Sequence, residues 1–132
     1  MSFLKGDILV SDSWKNSEKG YHYVVCLEHD KDGYMQVALL TQAIIGGNVI
    51  LEKSLYALNP PQEKMMYNDI FVVLRKFKNS ESWAPYTKVG KLSKKGVLFI
   101  QDYVRNLVPQ DLAEYLFNNM IYNPTNASNI FY

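Results

Sequence analysis

Short apolar stretches alternate with polar, glycine or proline clusters over the first two thirds of the chain. Ile8-Leu9-Val10 follows Lys5-Gly6-Asp7 and predicts a first strand. The polar segment Ser11–Gly20 predicts a loop. Its one large apolar side chain, Trp14, either folds back over the core or stands out as a contact. Tyr21–Leu27 is rich in aromatic and β-branched residues and predicts a second strand, and the unbroken run Val24–Leu27 predicts burial on both faces. Asp30-Lys31-Asp32-Gly33 is a turn signal, and Tyr34–Thr41 returns as the partner of a hairpin. Gly46-Gly47-Asn48 breaks the chain, and Val49–Lys53 predicts a short strand. Asn59-Pro60-Pro61 places residues 54–68 in a loop, because two prolines remove donors and fix φ. Ile70–Phe77 predicts one continuous strand and Val89–Leu92 a shorter one, with Trp83–Tyr86 irregular between them.

The period then changes. Val97, Ile100, Gln101 and Val104 recur at helical spacing, with Ser93 positioned to cap the first turn. Leu107-Val108-Pro109 interrupts, and Pro109 is expected to begin a second helix that carries Leu112, Tyr115, Leu116 and Asn119 on one side. Strands first and helices last predict a mainly β chain with C-terminal helices, built as a strongly bent antiparallel sheet or a small, partly closed barrel. Helices are missing between the early strands, which excludes a doubly wound parallel sheet. We expect one domain over residues 1–121 and a loosely held, asparagine-rich tail over 122–132.

Composition narrows the class. The 132 residues are 48% apolar and 20% charged, as in a folded domain. A single cysteine, Cys26, excludes an internal disulfide framework, and with two histidines, His22 and His29, no conventional zinc cluster is expected. No P-loop, Rossmann fingerprint, EF-hand or HExxH pattern occurs, so neither cofactor nor metal is expected. The N-terminus lacks a signal-peptide pattern and no run reaches the length of a membrane span, so a cytoplasmic protein with no membrane partner is expected. Net charge is only +1, but it is uneven. Residues 60–96 hold eight basic and three acidic side chains, a local excess of five positive charges. If Lys64, Arg75, Lys76, Lys78, Lys88, Lys91, Lys94 and Lys95 converge, they make a patch for a phosphate backbone.

Three stretches resemble the MazF/PemK/Kid-like toxins, which are compact SH3-like barrels with a C-terminal helix. They are Lys5–Val10 followed by Gly20–Leu27; Val37-Ala38-Leu39-Leu40-Thr41; and Asn68-Asp69-Ile70 through Val89-Gly90-Lys91-Leu92-Ser93. Together they span most of residues 5–105. The family's arginine before the second strand falls on His22 and the proline after it on Tyr23. Its strand-ending Thr or Ser falls on Thr41, an acid found in some members on Asp69, and the arginine two residues before that acid on Tyr67. The resemblance implies an SH3-like barrel, RNA cleavage, a small antitoxin protein as partner and a homodimer.

The candidate chemistry follows. The unperturbed histidine pKa lies near neutrality, so His22 suits proton transfer, either from a ribose 2′-OH that attacks the adjacent phosphate or to the leaving 5′ oxygen. Such cleavage needs no metal in principle. The resemblance makes Thr41 a phosphate contact, and Asp69 would orient His22 or contact a base. Lys19, Arg75, Lys76 and Lys78 are candidate backbone contacts, while Trp14, Trp83 and Tyr86 are candidate stacking surfaces for single-stranded RNA. The expected function is therefore an RNA-binding, toxin-like protein with metal-independent endoribonuclease activity. The alternative, favoured by the two missing arginines, is a non-catalytic barrel module that binds protein or nucleic acid.

Overall fold

The computed structural model describes residues 3–11, 23–29, 35–42, 48–57, 68–78, 85–112 and 114–115. Their strands are β1 (Asp7–Ser11), β2 (Tyr23–His29), β3 (Met35–Thr41), β4 (Val49–Ile50), β5 (Phe71–Val72), β6 (Phe77–Lys78), β7 (Tyr86–Lys91) and β8 (Gln110–Asp111). One helix, α1 (Lys94–Val104), lies between β7 and β8, and Lys53–Leu55 forms a single 3₁₀ turn. The strands make one sheet in the order β4-β5-β3-β2-β1-β7, and every pair on this path is antiparallel. β6 pairs with the other half of β3, and β8 runs parallel to β6. Among the described residues the result is a mostly antiparallel sheet with one helix between β7 and β8. Among the described strands no ladder joins β4 to β7, so strand pairing does not close the sheet into a barrel.

The predicted hairpin forms as β2 and β3, with Tyr23 opposite Leu40 and His29 opposite Met35. Val24–Leu27 and Val37–Leu40 are buried at every position, so both faces of these central strands are covered. This is the physical meaning of their unbroken apolar runs.

The expected strand over 70–77 is split in two. β5 pairs with Leu40 and Thr41 and β6 with Gln36 and Val37, so the four residues Val73–Lys76 stand opposite only Ala38 and Leu39. The Val73 N–H donates to the Leu39 carbonyl at 3.0 Å, and the Arg75 N–H donates to the Val73 carbonyl at 2.8 Å. Five apolar residues in a row cannot all be buried by strict alternation against one face. The bulge bends the chain and buries Ile70, Phe71, Val72, Val73 and Phe77 together. Elsewhere, β4 is shorter than expected because the chain turns into the 3₁₀ segment. β7 starts earlier, at Tyr86, because β1 extends to Ser11 and pairs with it.

Helix α1 begins where expected. Ser93 Oγ accepts from the Gly96 N–H at 3.2 Å and donates to the Leu55 carbonyl at 2.9 Å, so one hydroxyl both caps the helix and ties it to the 3₁₀ turn. Val97, Ile100 and Val104 are buried on one stripe. The second helical segment does not start at Pro109. That residue precedes β8, and helical conformation resumes at Leu112, after Asp111 Oδ1 accepts from the Glu114 N–H at 2.8 Å. The rest of that expected helix and the tail over 122–132 lie outside the described residues.

Gly96 shows why a glycine stands in the first turn of α1. A Cβ there would sit 2.7 Å from the Leu55 carbonyl oxygen and 3.2 Å from Leu92 Cβ. Helix propensity alone favours alanine by about 1 kcal/mol. The clash is with backbone held by the Ser93 hydrogen bonds, and overpacking of this kind costs about 1–3 kcal/mol. Gly96→Ala is therefore expected to lower the thermal midpoint, and a raised midpoint in a melting experiment would contradict the close approach.

Candidate functional site

Strand register brings three chain segments to one end of the sheet. Thr87, Val10, Tyr23, Leu40, Val72 and Val49 form a continuous row across it, each opposite the next. One step further out, Thr41 pairs with Phe71, Phe71 with Ile50, and Ser11 with Tyr86. Thus β3 ends, β5 begins and β2 begins at the same margin. Thr41 is buried, with 3% of its surface exposed. Asp69 is exposed, two residues before Phe71 in the chain. Beside it, Lys53 Nζ donates to the Asn68 carbonyl at 2.7 Å, which brings a cation from the 3₁₀ turn to the same margin. The sequence offered no signal for Lys53, because only tertiary pairing brings it there. Tyr86 belongs to the same end but stands three strands from Thr41, about 14 Å away at the usual strand spacing. It is half-buried, and burial pushes its phenol pKa upward.

The other candidates disperse. Lys78 is exposed and pairs with Gln36, five residues along β3 from Thr41, roughly 17 Å away. Arg75 is exposed in the bulge, with its guanidinium 5.6 Å from the centre of the Tyr115 ring, a cation–π contact. Lys76 is only 8% exposed. Its ammonium donates to the Arg105 carbonyl at 3.0 Å and lies 3.9 Å from Glu28 Oε1. This lysine ties the bulge to the end of α1, so its charge faces inward. His22, Lys19, Trp14 and Trp83 lie outside the described residues. The residue after His22, Tyr23, opens β2 opposite Leu40, the neighbour of Thr41.

The opposite end of the sheet carries a second polar arrangement. Asp7 is buried, its Oδ2 accepts from the Leu4 N–H at 2.8 Å, and its Oδ1 lies 3.2 Å from Lys88 Nζ. Gly6 takes a positive φ of 93°, which lets its N–H donate to the Cys26 carbonyl at 2.7 Å and its carbonyl accept from Leu92 at 2.8 Å. Burial, then the Asp7 carboxylate, push the Cys26 thiol up to about 11, with Lys5 opposing. The thiolate is the reactive form, so Cys26 is a core thiol without nucleophilic character at neutral pH.

Among the described residues no three His, Cys, Asp or Glu side chains gather as a metal site, and no helix is long and apolar enough to cross a membrane. No known protein family, curated protein or solved structure matches the chain.

Proposed function

We propose that the protein is a divergent MazF/PemK/Kid-like protein that binds single-stranded RNA at the Thr41 end of the sheet and cleaves it through His22. One observation carries this reading. The start of β2, the end of β3 and the start of β5 meet at one margin, so Thr41 and Asp69 share it with the residue that follows His22. His22 serves as base or acid, Thr41 contacts the phosphate and Asp69 orients the histidine. In the step itself the ribose 2′-OH gives up its proton as its oxygen attacks the adjacent phosphorus. The bond to the 5′ oxygen breaks and that oxygen takes up a proton. The products end in a 2′,3′-cyclic phosphate and a 5′-hydroxyl.

The SH3-like form of the sheet belongs to the same proposal. It is supported by the bridge between Tyr56 and Leu92, where the Ala57 N–H donates to the Lys91 carbonyl at 2.8 Å. That bridge ties the chain leaving β4 to the end of β7. A small antitoxin protein and a second copy of the chain are the partners in this reading, and covering exposed strand edges is a physical reason for the second copy.

The test uses a long, weakly structured RNA incubated with the protein in EDTA, beside a His22→Ala variant. Discrete cuts ending in cyclic phosphate are expected, with the rate falling about 10²–10⁴-fold in the variant, the usual contribution of a general acid or base. Binding is expected to persist in the variant and to weaken steeply with salt, as phosphate contacts do. Folded protein that binds RNA without cutting it overturns the catalytic reading. The non-catalytic binding module then stands, and it too has an observation in its favour: Thr41 is closed off from solvent, while His22 and Tyr67 occupy the family's arginine positions.

A further inference from the structure

At the end of the sheet away from Thr41, a cavity of about 510 Å³ opens between the start of β1, the end of β7 and the first turns of α1. Its size lies within the range of sites for small organic ligands. Its backbone walls are held by hydrogen bonds from Leu92 to Gly6, from Ser93 to Leu55 and from Ala57 to Lys91, each 2.8 Å long. These described walls of the cavity are therefore built into the fold.

The lining divides in two. Lys5, Lys91 and Lys94 bring three exposed ammonium groups to it, and among the described residues no acidic side chain lines it. Among the described residues the ion pairs are Lys76–Glu28, Lys88–Asp7 and Arg105–Asp102, so the three pocket lysines stand outside them. Between the lysines the wall is apolar: Leu92 and Val97 form buried floor, and Leu98 stands at the rim 54% exposed. Ser93 already caps α1, so the positive character of the pocket comes from the lysines.

We propose that this cavity binds a small anionic amphiphile, a molecule with a carboxylate or phosphate head and an aliphatic body. The head meets the three lysines, and the body covers Val97 and Leu98. Both halves of the lining are needed for the assignment. A bare inorganic anion leaves the apolar wall wet, and an uncharged lipid leaves three like charges unneutralised. An RNA backbone supplies charge but no aliphatic surface for Leu98. The cavity shares no lining residue with the Thr41 margin, although the 3₁₀ turn that brings Lys53 to that margin also backs its wall through Leu55.

The test is a titration of the full chain, ¹⁵N-labelled, with octanoate and with octyl phosphate below their micellar concentrations, followed by amide NMR. Shifts are expected at Leu92, Ser93, Val97 and Leu98, and the stronger of the two ligands identifies the head group. Octanol and acetate, which each lack one half of the chemistry, are expected to bind at least about tenfold more weakly, a difference of about 1.4 kcal/mol. The double variant Lys91→Gln/Lys94→Gln and, separately, Leu98→Asp are each expected to weaken binding about tenfold or more. All three positions are exposed, so the variants fold. No shifts with either amphiphile, equal binding of octanol, or unchanged affinity in the lysine double variant each overturn the proposal. So does a single-stranded RNA oligonucleotide that moves these amides where octanoate does not, because the lysines then track a phosphate backbone.

Discussion

Phe77→Ala is expected to cost about 3–5 kcal/mol of stability, the usual range for removing a buried phenylalanine. Phe77 is fully buried, and it fastens β8 and Tyr115 to the sheet. It pairs with Val37 of β3 on one side and Gln110 of β8 on the other. Its ring lies against Tyr115, with centroids 4.9 Å apart. Beside it the fastening is polar: the Gln110 N–H donates to the Lys76 carbonyl at 2.9 Å, and Lys76 Nζ reaches the end of α1. The cavity left by alanine would open between the sheet, β8 and Tyr115. Phe77→Leu keeps most of the volume and is expected to cost less than about 1.5 kcal/mol. Urea denaturation of the two variants checks this. Domains of this kind have only about 5–15 kcal/mol in total, so the alanine variant should lose a large part of its folded range. A loss below about 1 kcal/mol in that variant would falsify the docking of the C-terminal segment through β6.

The second large effect is alkaline. Burial pushes the Tyr56 phenol up to about 12, and burial together with Asp7 pushes the Cys26 thiol up to about 11. Burial also raises the Tyr86 and Tyr115 phenols, with Arg75 opposing the shift at Tyr115. All four groups are neutral when protonated. The unfolded chain gives up these protons first, from about 9 for the thiol and about 10 for the phenols. Above those values the folded state binds more protons than the unfolded one, so stability falls as pH rises. The contribution is complete below about pH 9 and is lost progressively up to about pH 12. Urea midpoints measured across that range should be flat at its lower end and then drop. Cys26→Val is expected to remove the earliest part of the drop. Tyrosinate absorbance should rise in two stages, exposed phenols first and the buried ones together with unfolding. A single stage at the ordinary phenol pKa, with the fold intact, would show that these rings are open to solvent.

Much of the local architecture could be read from short windows. The unbroken apolar runs of β2 and β3, the helical spacing of Val97, Ile100 and Val104, and the capping serine at 93 all depend on neighbours in sequence, and the structure has them where expected. The single strand expected over 70–77 was not legible in the same way. Its apolar pattern is uniform, and the bulge that divides it follows from the registers of β5 and β6 on one shared partner. The bulge also decides the fate of the basic cluster. In sequence Arg75, Lys76 and Lys78 look equivalent. In the fold Arg75 lies over a tyrosine ring, Lys76 is buried against a helix end and Lys78 faces solvent on another part of the sheet.

The candidate site divides along the same line. The resemblance nominated Thr41 and Asp69, and it rests on short local stretches of sequence. Their shared margin comes from the pairing of Thr41 with Phe71 across a long intervening segment. Likewise Lys91 and Lys94 were visible as charges, whereas Lys5 joins them only because β1 lies against β7. By itself the sequence determined the strands β1, β2 and β3, the start of α1 and the burial of their apolar runs, since propensity and periodicity act over a few residues. The tertiary structure alone decided which side chains meet. Strand partnership and register are settled by burial of the whole core at once, a condition that no short window of sequence contains.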